Sequence, residues 1–262
     1  GKAKVWVYDL ETGKRKKVFK IGYRRENYYE DYNYPIVAWH PREDKLLIAF
    51  QKKSTPEFFE YDFEEKKKEN KKKLEKIDKL LDISYDSRGM SVVLSGVKDG
   101  SSDIFIFQLR SNRLFAITND IYDDLNPRFV KNDKAIVFSS NRKSLKLQRR
   151  MFDPAKEFSE SYNIFYYNVA EKAKEVKQIT FTPEVNEYYP SAYDTFYFSY
   201  LTNENGIVNR NAAYLDSTFK HTRVLVKYQD TSRFKNDTLF FFTKDLNRSN
   251  FSTKTFKDTL AT

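Results

Sequence analysis

Few side chains in this sequence are placed for catalysis. The 262 residues include two histidines, His40 and His221, and no cysteine. No serine stands in a Gly-x-Ser-x-Gly turn, and neither histidine belongs to a His-x-x-x-His pair or directly precedes a glutamate. A catalytic triad, a thiol nucleophile and a Cys-based metal site therefore lack support. We expect both histidines to be surface turn residues and the chain not to be an enzyme.

One loop offers hard oxygen ligands. The stretch "DGSSD" (residues 99–103) begins like a calcium-binding loop, with Asp99 and Asp103 as the candidate ligands. It lacks the downstream glycine and the bidentate glutamate of an EF-hand. We interpret Asp99-Gly100 as a turn, because Asp and Gly favour turns, and keep calcium at Asp99 and Asp103 as the alternative. No other cofactor is expected.

Three loops combine acidic residues with tyrosines: residues 23–35, 119–127 and 182–190. Tyrosine offers a rigid apolar face with a polar tip, and it is enriched at protein interfaces. If these loops converge, they would form a surface for a protein partner. In the alternative, the tyrosines fill gaps between repeats and the acids cap exposed backbone. The candidate residues are Tyr28, Tyr29, Glu30, Asp31, Tyr122, Asp123, Asp124, Glu187, Tyr188 and Tyr189.

The elements that must position these loops repeat along the chain. Aromatic residues make up 17% of the sequence, which favours β-structure. Five strand-like apolar segments recur along the chain. The positions taken as equivalent in these segments are Phe50, Leu94, Phe138, Phe198 and Phe241. Successive positions are 44, 44, 60 and 43 residues apart. The long step contains an insertion, residues 143–162. Without it the period is that of four-stranded propeller blades.

A second strand series supports the same period. It comprises "KVWVYDL" (4–10), "EFFEYDF" (57–63), "SDIFIFQL" (102–109) and "YNIFYYNV" (162–169). Several twisted sheets packed radially bury faces that one sheet leaves open. The sequence therefore predicts an all-β fold, a β-propeller of four-stranded blades with about five repeat units, or six blades in a complete ring. We predict that residues 1–245 form the propeller and that 246–262 form a tail, a linker or the start of a further blade.

The repeat resembles the TolB-type β-propeller repeat, a relative of WD-type blades. The matching features are Pro127, Phe129, "AIVFSSNR", Asp99-Gly100, "DIFIF" and "LFAITNDIYDDLNP". The Ser-Pro-Asp-Gly turn of that repeat is present only as "HPRED", "YDSRG" or "VKND", and the N-terminal α/β domain of TolB is not seen. The resemblance implies a protein-binding scaffold in the periplasm or cell envelope of a bacterium.

Charge is unevenly distributed. The formal net charge is +10, and residues 64–79, "EEKKKENKKKLEKIDK", hold eight lysines and five acids. We interpret this run as a solvated loop and an edge strand, where lysine discourages edge-to-edge pairing, with a short helix as the alternative. No nucleic-acid motif accompanies it, so nucleic acid is not expected as a partner. No apolar run reaches the roughly 18 residues needed to cross a bilayer, so any membrane contact is expected to be peripheral.

Together these observations predict a non-enzymatic propeller that binds a protein partner, in an oligomeric state left open. Two alternatives remain: the gating propeller of a larger hydrolase of the prolyl-oligopeptidase or tricorn kind, and a propeller that stacks glycans on its tyrosines. The insertion 143–162 is either a lid that contacts a partner or a family-specific decoration.

Overall fold

The computed structural model describes residues 3–21, 35–52, 55–147, 158–182, 184–195, 197–204 and 206–214, and five later strand segments. Every helix or strand in this part of the chain is a β-strand, as the composition predicts. Among the residues described, none forms a helix long and apolar enough to cross a membrane.

Four antiparallel sheets of four strands form the body of the fold, preceded by the hairpin β1 (Ala3–Tyr8) and β2 (Arg15–Ile21). The first sheet comprises β3 (Ile36–Trp39), β4 (Lys45–Lys52), β5 (Thr55–Asp62) and β6 (Lys68–Lys73). The second comprises β7 (Lys79–Tyr85), β8 (Ser91–Lys98), β9 (Ser101–Gln108) and β10 (Arg113–Ala116). The third comprises β11 (Asp124–Val130), β12 (Ala135–Arg142), β13 (Phe158–Asn168) and β14 (Lys177–Gln178).

The fourth sheet has a different chain order. Its first three strands are β15 (Glu187–Ala192), β16 (Tyr197–Thr202) and β17 (Asn209–Tyr214), and its last is β22 (Thr255–Phe256). Between them lie two two-stranded sheets, β18 (Asp216–Thr218) with β21 (Asn250–Ser252), and β19 (Val224–Tyr228) with β20 (Phe240–Lys244). Phe241, taken as the fifth copy of the repeat, thus lies in β20 of a hairpin. An apolar run alone does not distinguish such a strand from a blade strand.

Strand pairing refines the register of the repeat. Leu94 lies opposite Phe105, and Phe138 lies opposite Phe165. In the first sheet, the aromatic residue that matches Phe105 and Phe165 is Phe59, and it lies opposite Ile48. Ile48 is two residues before Phe50, which the sequence pattern takes as the equivalent position. Both positions face the same side of the strand, so alternation alone leaves a two-residue ambiguity.

Neighbouring sheets pack face to face. The first strands β3, β7, β11 and β15 contact their neighbours in turn, so they are the inner strands of the blades. Between the first and second sheets, the rings of Phe58 and Phe107 meet edge-on at 5.7 Å. Between the second and third, Val93 packs with Phe138, and both are fully buried. Each sheet therefore buries one face on each neighbour, as propeller packing requires.

A recurring hydrogen bond links one sheet to the next. Ser95 Oγ donates to the carbonyl oxygen of Asp124 at 2.7 Å, and Ser139 Oγ donates to the carbonyl oxygen of Glu187. Ser95 and Ser139 occupy the same place in β8 and β12. The first sheet has Ala49 at this place, and there Gln51 Nε2 bonds the carbonyl oxygen of Asp78 at 3.0 Å. These bonds hold the start of each following inner strand, at the first residue of β11 and β15 and at the residue before β7.

The lysine-rich run and the insertion both lie at outer edges of sheets. β6 is the outer strand of the first sheet, as predicted. The insertion begins beside the third sheet: Val176 N–H donates to the Leu145 carbonyl at 2.7 Å, and Leu147 N–H donates to the Lys174 carbonyl at 3.1 Å. Its start thus covers the outer edge of that sheet, and residues 148–157 lie outside the described residues.

Candidate functional site

The strand directions bring two sets of loops to one face. The loops that lead from an outer strand to the next inner strand, residues 117–123 and 179–186, emerge beside the loops that join second and third strands. We call this side the mouth face. The loop 22–34, which carries the candidates Tyr28, Tyr29, Glu30 and Asp31, lies outside the described residues. The other candidate residues fall into an accessible group and a buried group.

The accessible group centres on Asp123. One carboxylate oxygen accepts a hydrogen bond from Ser102 Oγ at 2.7 Å, and the other accepts the hydroxyl of Tyr162 at 3.4 Å. The ring of Tyr162 lies 5.3 Å from the ring of Tyr188. Burial, reinforced by the Asp123 carboxylate, raises the pKa of Tyr162 to about 12, so its hydroxyl stays protonated. The mouth cluster, as we call Asp123, Tyr162 and Tyr188, joins loops and strands of the third and fourth sheets.

Tyr162 was not among the candidate residues. It lies at the end of the insertion, in a segment that the repeat pattern assigns to a strand. Its alternation with Ile164 and Tyr166 marks it only as one face of β13. A strand residue becomes part of a surface where the strand extends beyond its neighbour, and β13 is far longer than β14.

Tyr189 projects from a strained position. Its φ is 50°, in the left-handed region, and the residue is 56% exposed. The equivalent residue of the third sheet is Asn126, with φ 53°, and both residues precede a proline within a register shift of the inner strand. Asparagine tolerates this conformation, whereas a bulky aromatic residue rarely adopts it. The third and fourth sheets therefore share a bulge, and only in the fourth does it display a tyrosine.

The buried group does not reach the surface. Tyr122, Asp124 and Glu187 are all nearly inaccessible. Asp124 accepts a hydrogen bond from Arg142 Nη2 at 2.5 Å, and the Arg142 guanidinium lies 5.2 Å from the ring centre of Tyr122. Glu187 accepts a hydrogen bond from Thr182 Oγ1 at 3.2 Å. These three residues support the mouth face from beneath.

Arg142 is the centre of a buried acidic cluster that the sequence did not reveal. Carboxylate oxygens of Asp103, Asp120 and Asp124 lie within 4.8 Å of one another. Arg142 Nη2 lies 3.2 Å from Asp120 and 2.5 Å from Asp124, so a guanidinium supplies positive charge to this cluster. Burial raises the pKa of Asp103 to about 6, and nearby Asp124 and Asp120 add to the shift. Burial also raises the pKa of Asp124, while Arg142 opposes that shift.

The two calcium candidates are separated by the fold. Asp99 and Gly100, with φ of 52° and 90°, form the two-residue turn between β8 and β9, as predicted. Asp103 is buried, and it accepts hydrogen bonds from Thr118 Oγ1 and the Asp120 N–H, both at 3.2 Å. A calcium site formed by Asp99 and Asp103 stays a prediction.

His40 lies in the predicted turn, but its side chain is only 6% exposed, so the ring is buried and not at the surface. Nδ1 accepts hydrogen bonds from the N–H groups of Glu43 at 2.8 Å and Arg42 at 3.3 Å. A Cβ at Gly89 would lie 1.9 Å from its Nε2, so Gly89 leaves room for the imidazole. The ring caps a turn, much as an Asp side chain does. His221 lies outside the described residues.

The opposite face contains a cavity of about 530 Å³ among the turns that join first and second strands. Its lining includes Ser87 and Asp133, whose N–H and carboxylate form a 2.9 Å hydrogen bond between the second and third sheets. Tyr193 and Asp194 lie at its edge and are exposed. Tyr193 and Asp194 therefore offer exposed control positions on the side opposite the mouth face.

No family model matches the sequence, and no curated protein matches it. Among solved structures, TolB from Acinetobacter baumannii is similar with a TM-score of 0.57 at 17% identity, covering 81% of this chain and 46% of that chain. The putative TolB from Agrobacterium tumefaciens gives a TM-score of 0.52 at 12% identity, covering 80% and 65%.

The chain therefore has a β-propeller fold similar to that of these TolB structures. It spans about half to two thirds of the length of these two TolB chains. A prolyl endopeptidase structure is similar at a TM-score of 0.50 and 9% identity, over 87% of this chain and 35% of that one. At these identities the TolB-type likeness establishes the fold, and the activity must be argued from the site.

Proposed function

We propose that this TolB-type propeller is a non-enzymatic scaffold that binds a protein partner at its mouth face, in the envelope of a bacterium. The observation that carries the proposal is the mouth cluster, where Asp123, Tyr162 and Tyr188 meet across the third and fourth sheets. The similarity to TolB structures supports the envelope location.

The surroundings of the cluster suit a protein interface. Tyr189 is exposed, and so are apolar residues in the loops of the same face: Phe181 is 70% exposed, and Ile207 and Val208 are each 66% exposed. Exposed apolar residues close to tyrosines are typical of protein-binding surfaces. The carboxylate of Asp123 would favour a partner segment that presents a basic or hydrogen-bond-donating side chain.

Affinity capture with a matched control tests this function. The chain is immobilised and exposed to an envelope extract of the organism that encodes it, and bound proteins are identified by mass spectrometry. The test variant combines Asp123→Ala with Tyr188→Ala; Asp124 is left unchanged because it pairs with buried Arg142. The control combines Asp194→Ala with Tyr193→Ala on the opposite face, where both residues are exposed.

We expect a protein captured by the wild type and by the control to be lost, or bound at least tenfold more weakly, with the test variant. Residues at the centre of an interface commonly contribute 2 kcal/mol or more, which is a factor of about 30. Equal capture by the wild type, the test variant and the control variant would show that the mouth cluster is not the binding site.

The alternative, a propeller portion of a larger peptidase, is favoured by the likeness to the prolyl endopeptidase. It requires a hydrolase domain with a Gly-x-Ser-x-Gly turn outside these residues. Sequencing the full coding region separates the two functions, because a Gly-x-Ser-x-Gly turn there would favour the peptidase and its absence would favour the scaffold.

A further inference from the structure

Most of the positive charge of the protein lies on two neighbouring outer strands. Residues 14–20 contain five basic residues and no acid, and residues 64–79 have an excess of three lysines. They account for eight of the ten net positive charges of the chain. These residues form β2, β6, the adjoining turns and the first residue of β7, and we call them the basic rim.

The two strands form one continuous surface. Lys68 Nζ, on β6, lies 5.0 Å from the ring centre of Phe19, on β2. In the reverse direction Lys16 Nζ, on β2, lies 5.3 Å from the ring centre of Tyr61, on β5. Both contacts are cation–π interactions, which hold the ammonium groups at fixed places above the aromatic layer. The basic rim is therefore an organised patch.

Edge protection does not account for this density of charge. A few lysines on an edge strand suffice to prevent pairing with another sheet. The outer strands β10 and β14, in the second and third sheets, each carry a single basic residue. In the basic rim Lys67 pairs with Glu65 and Glu69, and Lys71 pairs with Glu57, but Lys14, Lys17, Lys66 and Lys73 are exposed and make no ion pair within the described residues. Their mutual repulsion would be relieved by an anionic partner.

The residue types favour a lipid surface over a nucleic acid. Twelve of the thirteen basic residues in the rim are lysines. Lysine acts as a point charge toward a diffuse field of phosphates, whereas arginine gives bidentate recognition of individual groups. Beside it, at the tip of the β1–β2 hairpin, Leu10 is 90% exposed and Tyr8 is 60% exposed. An apolar tip next to lysines is the arrangement of segments that lie at a membrane interface.

We propose that the basic rim docks the propeller on a membrane surface rich in anionic phospholipid. The lysines would contact lipid phosphates while Leu10 enters the headgroup region. The basic rim shares no residue with the mouth cluster, so this inference does not rest on the proposed protein partner.

Vesicle co-sedimentation tests it, with phosphatidylcholine alone and with phosphatidylcholine containing about one-third phosphatidylglycerol. The rim variant carries Lys14→Glu, Lys17→Glu, Lys66→Glu and Lys73→Glu. A control with the same change in net charge carries Lys134→Glu, Lys143→Glu, Lys172→Glu and Lys174→Glu, all exposed on the third sheet and its turns. Circular dichroism verifies that each variant is folded.

We expect the wild type to bind the anionic vesicles and not the neutral ones, and to be released as salt rises from about 50 mM to about 500 mM. The rim variant should bind at least tenfold more weakly than the wild type, and the control should stay within about threefold, since each lysine near such a surface contributes about 1 kcal/mol. Equal loss in both variants, or no preference for anionic vesicles, would overturn the proposal. So would tighter binding to a duplex DNA of equal phosphate concentration, since the rim would then serve a nucleic acid.

Discussion

At the scale of single residues, Tyr189 combines strain with exposure. A left-handed conformation costs a non-glycine residue about 1–2 kcal/mol. Asn126 adopts the same conformation in the equivalent bulge, and asparagine tolerates it best. We predict that Tyr189→Asn raises the free energy of unfolding by about 1 kcal/mol, measured by urea denaturation, and weakens capture of the partner. Loss of stability would mean that the exposed ring packs on the fold and is not held for a partner.

Asp103 provides a prediction about pH. Burial is the main cause that raises its pKa in the folded state from the ordinary 3.8 to about 6. Between these values the folded state keeps a proton that the unfolded chain has released. The stabilising effect of that proton is present in full below about pH 4 and is lost as pH rises through about 6. Asp103→Asn removes this dependence, because Asn Oδ1 can still accept the bonds from Thr118 and Asp120.

We therefore expect the difference in stability between Asp103→Asn and the wild type to grow between pH 4 and pH 7, by on the order of 2 kcal/mol in favour of the variant. The chain offers a reciprocal control. Asn163 occupies the same place in β13, one residue before Ile164, and it too is buried. Asn163→Asp should destabilise the protein increasingly over the same pH range. Parallel stability profiles for the wild type and Asp103→Asn would contradict the raised pKa.

At the scale of elements, serine hydrogen bonds link β8 and β12 to the first residues of β11 and β15. Ser95→Ala removes the donor to the carbonyl oxygen of Asp124, at a serine that is fully buried. We expect a loss of about 1–2 kcal/mol in the free energy of unfolding, since a buried acceptor then lacks this partner. Ser111→Ala, an exposed serine that bonds Gln108, should change stability by less than about 0.5 kcal/mol. Equal effects would show that the link between sheets contributes little.

Elements were more predictable than the site they form. Short continuous apolar runs in β8, β9 and β12 indicated strands that are buried on both faces, and the spacing of such runs indicated the period. The Arg142 cluster could not be predicted from the sequence. Asp103 on β9, Asp120 in the loop before β11 and Asp124 at the start of β11 meet only when these elements pack together. For the same reason the sequence did not distinguish accessible Asp123 from buried Asp124. Adjacent residues of an extended strand point to opposite faces, and the structure decides which face is covered.

At the scale of the whole molecule, the repeat period predicted an architecture of four-stranded blades. The fourth sheet differs from this prediction in the order of its strands along the chain. Its outer strand β22 comes from near the end of the chain, after the hairpin of β19 and β20. Repeat counting assigned that hairpin to a further unit because "DTLFFFT" has the composition of a blade strand. A pattern of apolar residues carries no information about which strand a segment will pair with. The lysine excess, by contrast, was visible in the sequence, and its concentration on two adjacent outer strands needed the structure.

Packing between neighbouring sheets predicts how stability is distributed. Each sheet contacts mainly its neighbours, so a defect should act locally before it acts globally. Phe138 is fully buried where the second and third sheets meet, and Phe138→Ala is expected to lower stability there by about 3–5 kcal/mol. In hydrogen exchange followed by mass spectrometry, peptides of β8, β9, β12 and β13 should lose the most protection. Peptides of β4 and β5, one sheet further away, should change less. A uniform loss across all four sheets would show instead that the propeller opens only as a single cooperative unit.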